Sequence, residues 1–288
     1  MDHEAPDELL VLTQNVWGGA GAWELRREVL AKAVATCRPH VIGLQEVHAG
    51  SRSGEGSQAH QLARLVGGYD TYFAPGRVRS GGACEGVAVL CRHGVREHAV
   101  EALTLDRDDP WDGESQRVVL CAQVDLAVGP VDVFVTHLSL SAKARHRTVR
   151  ELLQFTARER QRSGSLGAVL MGDLNATPDD PAVAALVSPD DAGQAAWVDA
   201  WSRAHPGARG GTWPAVWPFR RIDYQLLSPG GAWEVLSCER LQFAGSDHLG
   251  VLARLRLLAR PGDRQASSEI GSTSSAATQN RAPSGAAM

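Results

Sequence analysis

Six short apolar runs, each closed or opened by a polar side chain suited to chemistry, constrain this chain more than any other feature of its sequence. Leu9 to Val16 reads LLVLTQNV, Val41 to Val47 VIGLQEV, Val131 to Leu138 VDVFVTHL, Ala168 to Asn175 AVLMGDLN and Ile222 to Leu227 IDYQLL. The run from Leu249 to Leu258 instead follows its polar group, Ser246-Asp247-His248. Their lengths and Val/Leu/Ile content suit strands buried against another layer rather than helices. Further strands are expected at Glu85 to Cys91, Val95 to Leu103, Gln116 to Asp125 and Trp233 to Phe243. Helical spacing fills gaps between them. Trp23 to Thr36 puts Leu25, Val29, Ala33 and Thr36 on one side, and Ser141 to Arg162 carries a stripe of Val149, Leu152, Leu153 and Phe155. The arginines of that second helix read as a solvated face. Pro181 to Val187 is a third helix, capped by Asp179 or Asp180. Hairpin-like neighbours beside strand–helix–strand passages predict an α/β fold of two mixed, mostly antiparallel sheets packed together, with helices outside.

The 288 residues, 43% hydrophobic, bury enough surface for one large domain, expected over residues 1–259. From 260 to 288 the chain is rich in Ser, Ala, Gly, Pro and Gln, which cannot offset its ordering entropy, so a disordered tail is expected. The acidic start MDHEAPDE lacks the order of a signal peptide. No apolar run reaches the ~20 residues of a membrane span. Five cysteines without a CxxC pair argue against a disulfide framework or a zinc site and make a reducing cytoplasm the expected location. A net charge of −4 lends no support to nucleic-acid binding, and a monomer is expected.

The polar groups at the strand ends hold what a phosphate-cleaving metal site needs. Mg²⁺ is a hard ion that prefers oxygen ligands. Glu46 and Asp247 offer carboxylates and Asn15 an amide oxygen. Asp173 and Asn175, two apart, face the same way if strand geometry persists, so one can take a proton from water while the other donates to a phosphate oxygen. His137 and His248 are the histidines at strand ends, and Asp223 is a candidate to fix the tautomer of one of them. Each residue alone has an ordinary structural explanation; their joint occurrence carries the reading.

With these residues in view, the chain resembles the endonuclease/exonuclease/phosphatase superfamily, whose members include DNase I-like nucleases. The motifs, in order, are TQNVW, GLQEV, THLS, GDLNATP, RIDYQLLS and SDHLGV, spanning about Leu9 to Leu257. The resemblance implies a four-layered α/β sandwich and in-line attack by water on phosphorus, with Mg²⁺ as cofactor and Mn²⁺ as a substitute. It implies metal-site roles for Asn15, Glu46 and Asp247, and a water-orienting or deprotonating role for Asp173. Asn175 would position the phosphate, His248 paired with Asp223 would contact it, and His137 would lie near the phosphate or leaving group. Arg117 resembles an arginine found near the phosphate in several members.

The substrate is a phosphate ester whose class must be read from variable loops, at His48 to His60, Phe73 to Cys84 and Ala204 to Arg221. The last interleaves Trp213, Trp217 and Phe219 with Arg209, Arg220 and Arg221, which could stack bases, enter a lipid interface or simply pack under the loop. A nuclease-type substrate is favoured. A sphingomyelinase-like phospholipid phosphodiesterase is the alternative, and an inactive phosphate-binding module ranks below both because none of its expected metal or water residues is missing.

Overall fold

The computed structural model describes residues 8–50, 56–78, 81–113, 115–127, 129–189, 197–229, 233–242 and 245–258. The expected tail, 260–288, lies outside the described residues.

Two central strand–helix–strand units organise the molecule. In the first, β1 (Glu8–Asn15) runs through α1 (Trp23–Cys37) into β2 (Val41–Ala49), and the two strands pair in parallel. In the second, β7 (Gly129–His137) runs through α3 (Ala142–Ser163) into β8 (Gly167–Asp173), again in parallel. A parallel pair needs such a crossover, and the crossover helix covers one face of its sheet. The remaining strands add antiparallel. They are β3 (Asp70–Val78), β4 (Cys84–Cys91), β5 (Glu97–Ala102), β6 (Val118–Leu126), β9 (Val198–Asp199), β10 (Asp223–Leu227), β11 (Trp233–Leu241) and β12 (Gly250–Leu257). One sheet has the order β11-β12-β1-β2-β4-β3 and the other β5-β6-β7-β8-β10-β9.

Alternation along the central strands explains three separate layers of core. In β8, Val169 and Met171, with Val135 of the neighbouring β7, face the other sheet, where they meet Val11 and Val89, while Ala168 and Leu170 face α3 with Phe134, Leu152 and Phe155. In β1, Val11 points between the sheets and Leu12 points to α1, beside Leu30 and Val34. Strands buried on both faces lose the polar alternation of an edge strand, hence the continuous apolar runs. The sheets approach so closely that a Cβ on Gly43 would lie 2.6 Å from Met171 Sδ. The four-layered sandwich expected from the sequence is therefore the observed fold.

Several elements depart from the sequence reading. The start of α2 (Gln58–Val66) and most of β3 fall within segments expected to be variable loops, and the rest of α2 was not expected. In α1 the buried face is Arg26, Leu30, Ala31 and Val34, whereas Leu25 is 72% exposed. The apolar stripe expected there faces outward because Arg26 takes the inner position. Its guanidinium donates to the carbonyls of Val16, Gly18 and Gly245 and lies between the rings of Trp17 and Trp23. The arginines of α3 are likewise mostly engaged: buried Arg145 pairs with Asp180 at 2.8 Å, and Arg147 pairs with Asp112 at 2.8 Å. Of the two candidate caps of α4 (Pro181–Val187), Asp180 accepts from Ala182 N at 2.9 Å.

Candidate active site

Parallel pairing brings chemistry to one edge of the sandwich. In β1 and β2 the register sets Asn15 opposite Gln45, so Asn15 and Glu46 emerge together; in β7 and β8 it sets His137 opposite Asp173. The antiparallel neighbours start at that same edge. Asp223, the first residue of β10, pairs with Asp173, and His248 precedes the start of β12, where Val251 pairs with Thr13 of β1. Residues separated by up to 233 positions thus meet because every contributing strand ends or begins there.

Local backbone distortion aims the side chains. The β2–β4 register shifts between Leu44 and Val47, and within this bulge Glu46 adopts φ +56°. Asn175 (φ +51°) and Trp17 (φ +59°) are also left-handed. Among the described residues the only other non-glycine of this kind is Arg38, which caps α1. Left-handed backbone costs an ordinary residue about 1–2 kcal/mol, and here it clusters where side chains must converge.

Asp173 is the centre of the cluster. Its Oδ2 accepts from Asn15 Nδ2 at 3.0 Å and lies 3.5 Å from His137 Nε2 and 3.7 Å from His248 Nε2; its Oδ1 accepts from Asn175 N at 2.8 Å. Asn15 Nδ2 also donates to Glu46 Oε1 at 3.0 Å, while its Oδ1 accepts from Trp17 N at 2.9 Å. The amide therefore turns nitrogen, not oxygen, toward the two acids, which is the complementary orientation when both neighbours are acceptors. Burial pushes the Asp173 carboxyl upward; the charge of His248 and the two donors oppose this, and Asp223 adds to it. Burial likewise raises Glu46, opposed by the Asn15 hydrogen bond and reinforced by Glu85 and Asp247.

The two histidines sit in opposite electrostatic states. Burial alone would lower His248, but Asp223 and Asp173 overcome it and hold the imidazole at about 10, so it is protonated at neutral pH. Its Nδ1 donates to Asp223 Oδ2 at 2.9 Å, the partnership expected from the sequence. His137 is pushed well below its usual range by burial and by the charges of Arg117 and His248, so it is neutral. Arg117 Nη1 stands 2.8 Å from His137 Nδ1. A guanidinium has no acceptor, so Nδ1 must carry the lone pair and Nε2 the proton. That proton faces the Asp173 edge, where Asn175 Nδ2 also lies 3.0 Å away. Arg117 thus acts on a histidine within the candidate site.

Asp247 stands slightly apart. Its Oδ2 accepts from Trp213 Nε1 at 3.1 Å, and its Oδ1 is buried without a partner among the described residues. Trp213 packs under its loop, one of the outcomes weighed from sequence, and also holds a site carboxylate. Arg221 is buried against Asp199, leaving Arg209 and Arg220 as the exposed arginines of that loop. Sequence reasoning also missed Arg26 as the clamp behind Val16 and Gly245. The available signal was the alternative helical phase through Arg26, Leu30 and Val34.

The acids fit a hard cation. Carboxylate oxygens of Glu46 and Asp173 cluster within 4.8 Å beside His137, whose protonated Nε2 has no lone pair to offer an ion, and a second cluster joins Asp173, Asp223 and His248. In the second, the protonated His248 offsets one of the two carboxylate charges. At the first, Glu46 and Asp173 face a neutral histidine and the partnerless Asp247 Oδ1 adds negative charge nearby, an arrangement that a cation stabilises.

Comparison with known proteins agrees with this picture. The Endonuclease/Exonuclease/phosphatase family model matches residues 12–248. A structure of an endonuclease/exonuclease/phosphatase from Beutenbergia cavernae is 28% identical with a TM-score of 0.70, covering 87% of this chain and 72% of that one. The human nocturnin catalytic domain with bound sulfate has 19% identity and a TM-score of 0.69, over 89% of this chain and 97% of that one. A mannosyl-6-phosphatase from Bacteroides thetaiotaomicron has 21% identity and a TM-score of 0.65, over 87% and 99%. A comparison with curated proteins found no match.

Proposed function

The chain belongs to the endonuclease/exonuclease/phosphatase family, and from that membership and its site we propose that it is a divalent-metal-dependent phosphoesterase acting by in-line attack of water. The observation that carries the proposal is the convergence of Asn15, His137 and His248 on the single oxygen Asp173 Oδ2, all within 3.7 Å. Glu46 and Asp247 are the carboxylates that would hold Mg²⁺, with Mn²⁺ as a substitute, and Asn15 orients Glu46 and Asp173 through its amide nitrogen. The ion when bound would neutralise charge on the phosphate and stabilise the leaving oxygen.

The chain's own groups then divide the work. Asp173 is raised by burial, which makes it a better base, and it accepts a proton from the attacking water. His248, kept protonated by Asp223, donates to a phosphate oxygen on which charge grows. His137 presents a neutral Nε2–H and Asn175 an amide N–H to the same phosphate. Arg117 fixes the His137 tautomer and has a buried Nε without a partner among the described residues.

A panel of bis(p-nitrophenyl) phosphate, plasmid DNA, single-stranded RNA, sphingomyelin and inositol phosphates, with Mg²⁺ or Mn²⁺, tests the proposal. At least one ester should be hydrolysed, EDTA should lower the rate by about 100-fold or more, and Mg²⁺ should restore it. Undiminished turnover in EDTA would remove the metal from the reading. Trp213→Phe offers a second check, since it deletes only the N–H that holds Asp247. Loss of such a supporting donor should weaken Mg²⁺ activation by about 10-fold or more, seen as a higher Mg²⁺ concentration at half-maximal rate with little change at saturation.

A further inference from the structure

The loop before Arg221 carries the two most exposed large apolar side chains among the described residues. Val216 is 93% exposed and Trp217 78%, with Phe219 exposed beside them. Across the site Trp111 and Leu140 are also exposed, in loops joined by Ser139 Oγ to Trp111 O at 3.3 Å, two residues after His137. With Trp17, which follows Asn15, every tryptophan exposed among the described residues belongs to a loop bonded to, or directly following, a site residue. Single exposed apolar groups are ordinary, but their grouping around one cleft calls for a partner.

We propose that this rim is an interfacial docking surface by which the protein seats its active site on a phospholipid membrane, a proposal that rests on the phosphoesterase reading and names the surface on which that site works. The backbone of the 213–220 turn favours lipid over a nucleic-acid strand. Trp213 N donates to Arg220 O, Ala215 N to Asp247 O, Trp217 N to Pro214 O, and Phe219 N and Arg220 N to Trp213 O. Pro214 and Pro218 have no N–H, so only the Val216 N–H lacks a partner among the described residues. Unpaired backbone groups make a loop expensive to bring into an apolar phase; this tip has one such N–H, while its carbonyls from Ala215 to Phe219 accept from no backbone donor among the described residues, which suits the hydrated headgroup level and not the acyl core. Its most exposed residue is an aliphatic valine, which offers no ring for stacking a base, while tryptophan favours the boundary between headgroup and acyl chain. Arg209 and Arg220 are exposed on the same loop, with the Arg220 guanidinium over the Trp213 ring, and are placed to meet headgroup phosphates. A phospholipid surface meeting these loops would bring its phosphates toward Glu46 and Asp247 and the cation they would hold.

Co-sedimentation with phosphatidylcholine vesicles, and with vesicles containing 30% phosphatidylglycerol, tests the proposal on the full chain without requiring turnover. The wild type should partition onto vesicles. A Val216→Asp, Trp217→Ala variant with an unchanged thermal midpoint should partition at least tenfold less. Absence of vesicle binding by the wild type, or equal binding by the variant, overturns the proposal. So does retention of single-stranded DNA in place of vesicles with the same dependence on Trp217, which would make the loop a stacking platform. Hydrolysis of bis(p-nitrophenyl) phosphate is measured in parallel. Vesicle binding with no hydrolysis of any ester would overturn the phosphoesterase reading alone, and hydrolysis without vesicle binding would overturn the docking surface alone.

Discussion

Asp173→Asn is expected to lower hydrolysis of a soluble phosphodiester by about 10³-fold or more while the thermal midpoint stays level or rises. The two halves of this result have one cause. Asp173 is buried at 1% exposure, and its charge is disfavoured by burial and by the nearby Asp223 carboxylate. Asparagine keeps the shape and, with its oxygen toward Asn15, His137 and His248, gives up only the Asn175 N–H, and it removes a charge that the fold does not accommodate comfortably. What disappears is the group able to take a proton from water. A structural residue would behave the other way, since deleting its interactions lowers stability and activity together. Turnover within tenfold of wild type would remove Asp173 from the reaction.

The second large effect concerns His248. Its replacement by alanine should lower turnover by about 10²–10³-fold, the range for losing one charge-stabilising donor. It should also destabilise the protein by about 3 kcal/mol or more, because Asp223 would remain buried at 2% exposure without its ion-pair partner. Adding Asp223→Asn to His248→Ala removes the stranded charge. The double variant should therefore regain much of the lost thermal stability and none of the lost activity, and its rate should match that of His248→Ala within a few-fold. Activity returning along with stability would mean that His248 only supports the fold.

Both expectations depend on the histidines holding different protonation states a few ångströms apart. His248 has two carboxylates as neighbours, whereas His137 has an arginine at one nitrogen and the His248 charge beyond the other. Their roles divide accordingly: the first supplies a positive charge and the second a neutral, directed N–H. Pairs of titratable groups whose surroundings push them apart are a recurring means of assigning acid and base roles at one site.

Much of this molecule was legible in the residues themselves. The apolar runs marked the inner strands because a strand buried on both faces has no polar alternation, and the polar groups that follow or precede those runs gather at one edge because the strands terminate there. Asn15, Glu46, His137, Asp173, Asn175, Asp223 and His248 could be singled out on that basis. Periodicity could not choose the phase of α1. Two helical stripes competed there, and the winner was decided by three backbone carbonyls, from Val16, Gly18 and Gly245, that one inward-facing Arg26 reaches together. The short edge elements α2 and β3 were hidden because their polar content resembles that of loops.

Chemical identity at the strand ends was therefore fixed locally, by which side chain follows which apolar run. Its electrostatic meaning was not, because tautomer, charge and orientation come from partners far away in the chain. Arg117 selects the His137 tautomer from 20 residues away, Trp213 holds Asp247 from 34, and Asn15 turns its amide toward Asp173 across 158. Such contacts exist only once two sheets have closed over a common core, so sequence named the candidate groups and the tertiary structure set the state in which each one stands.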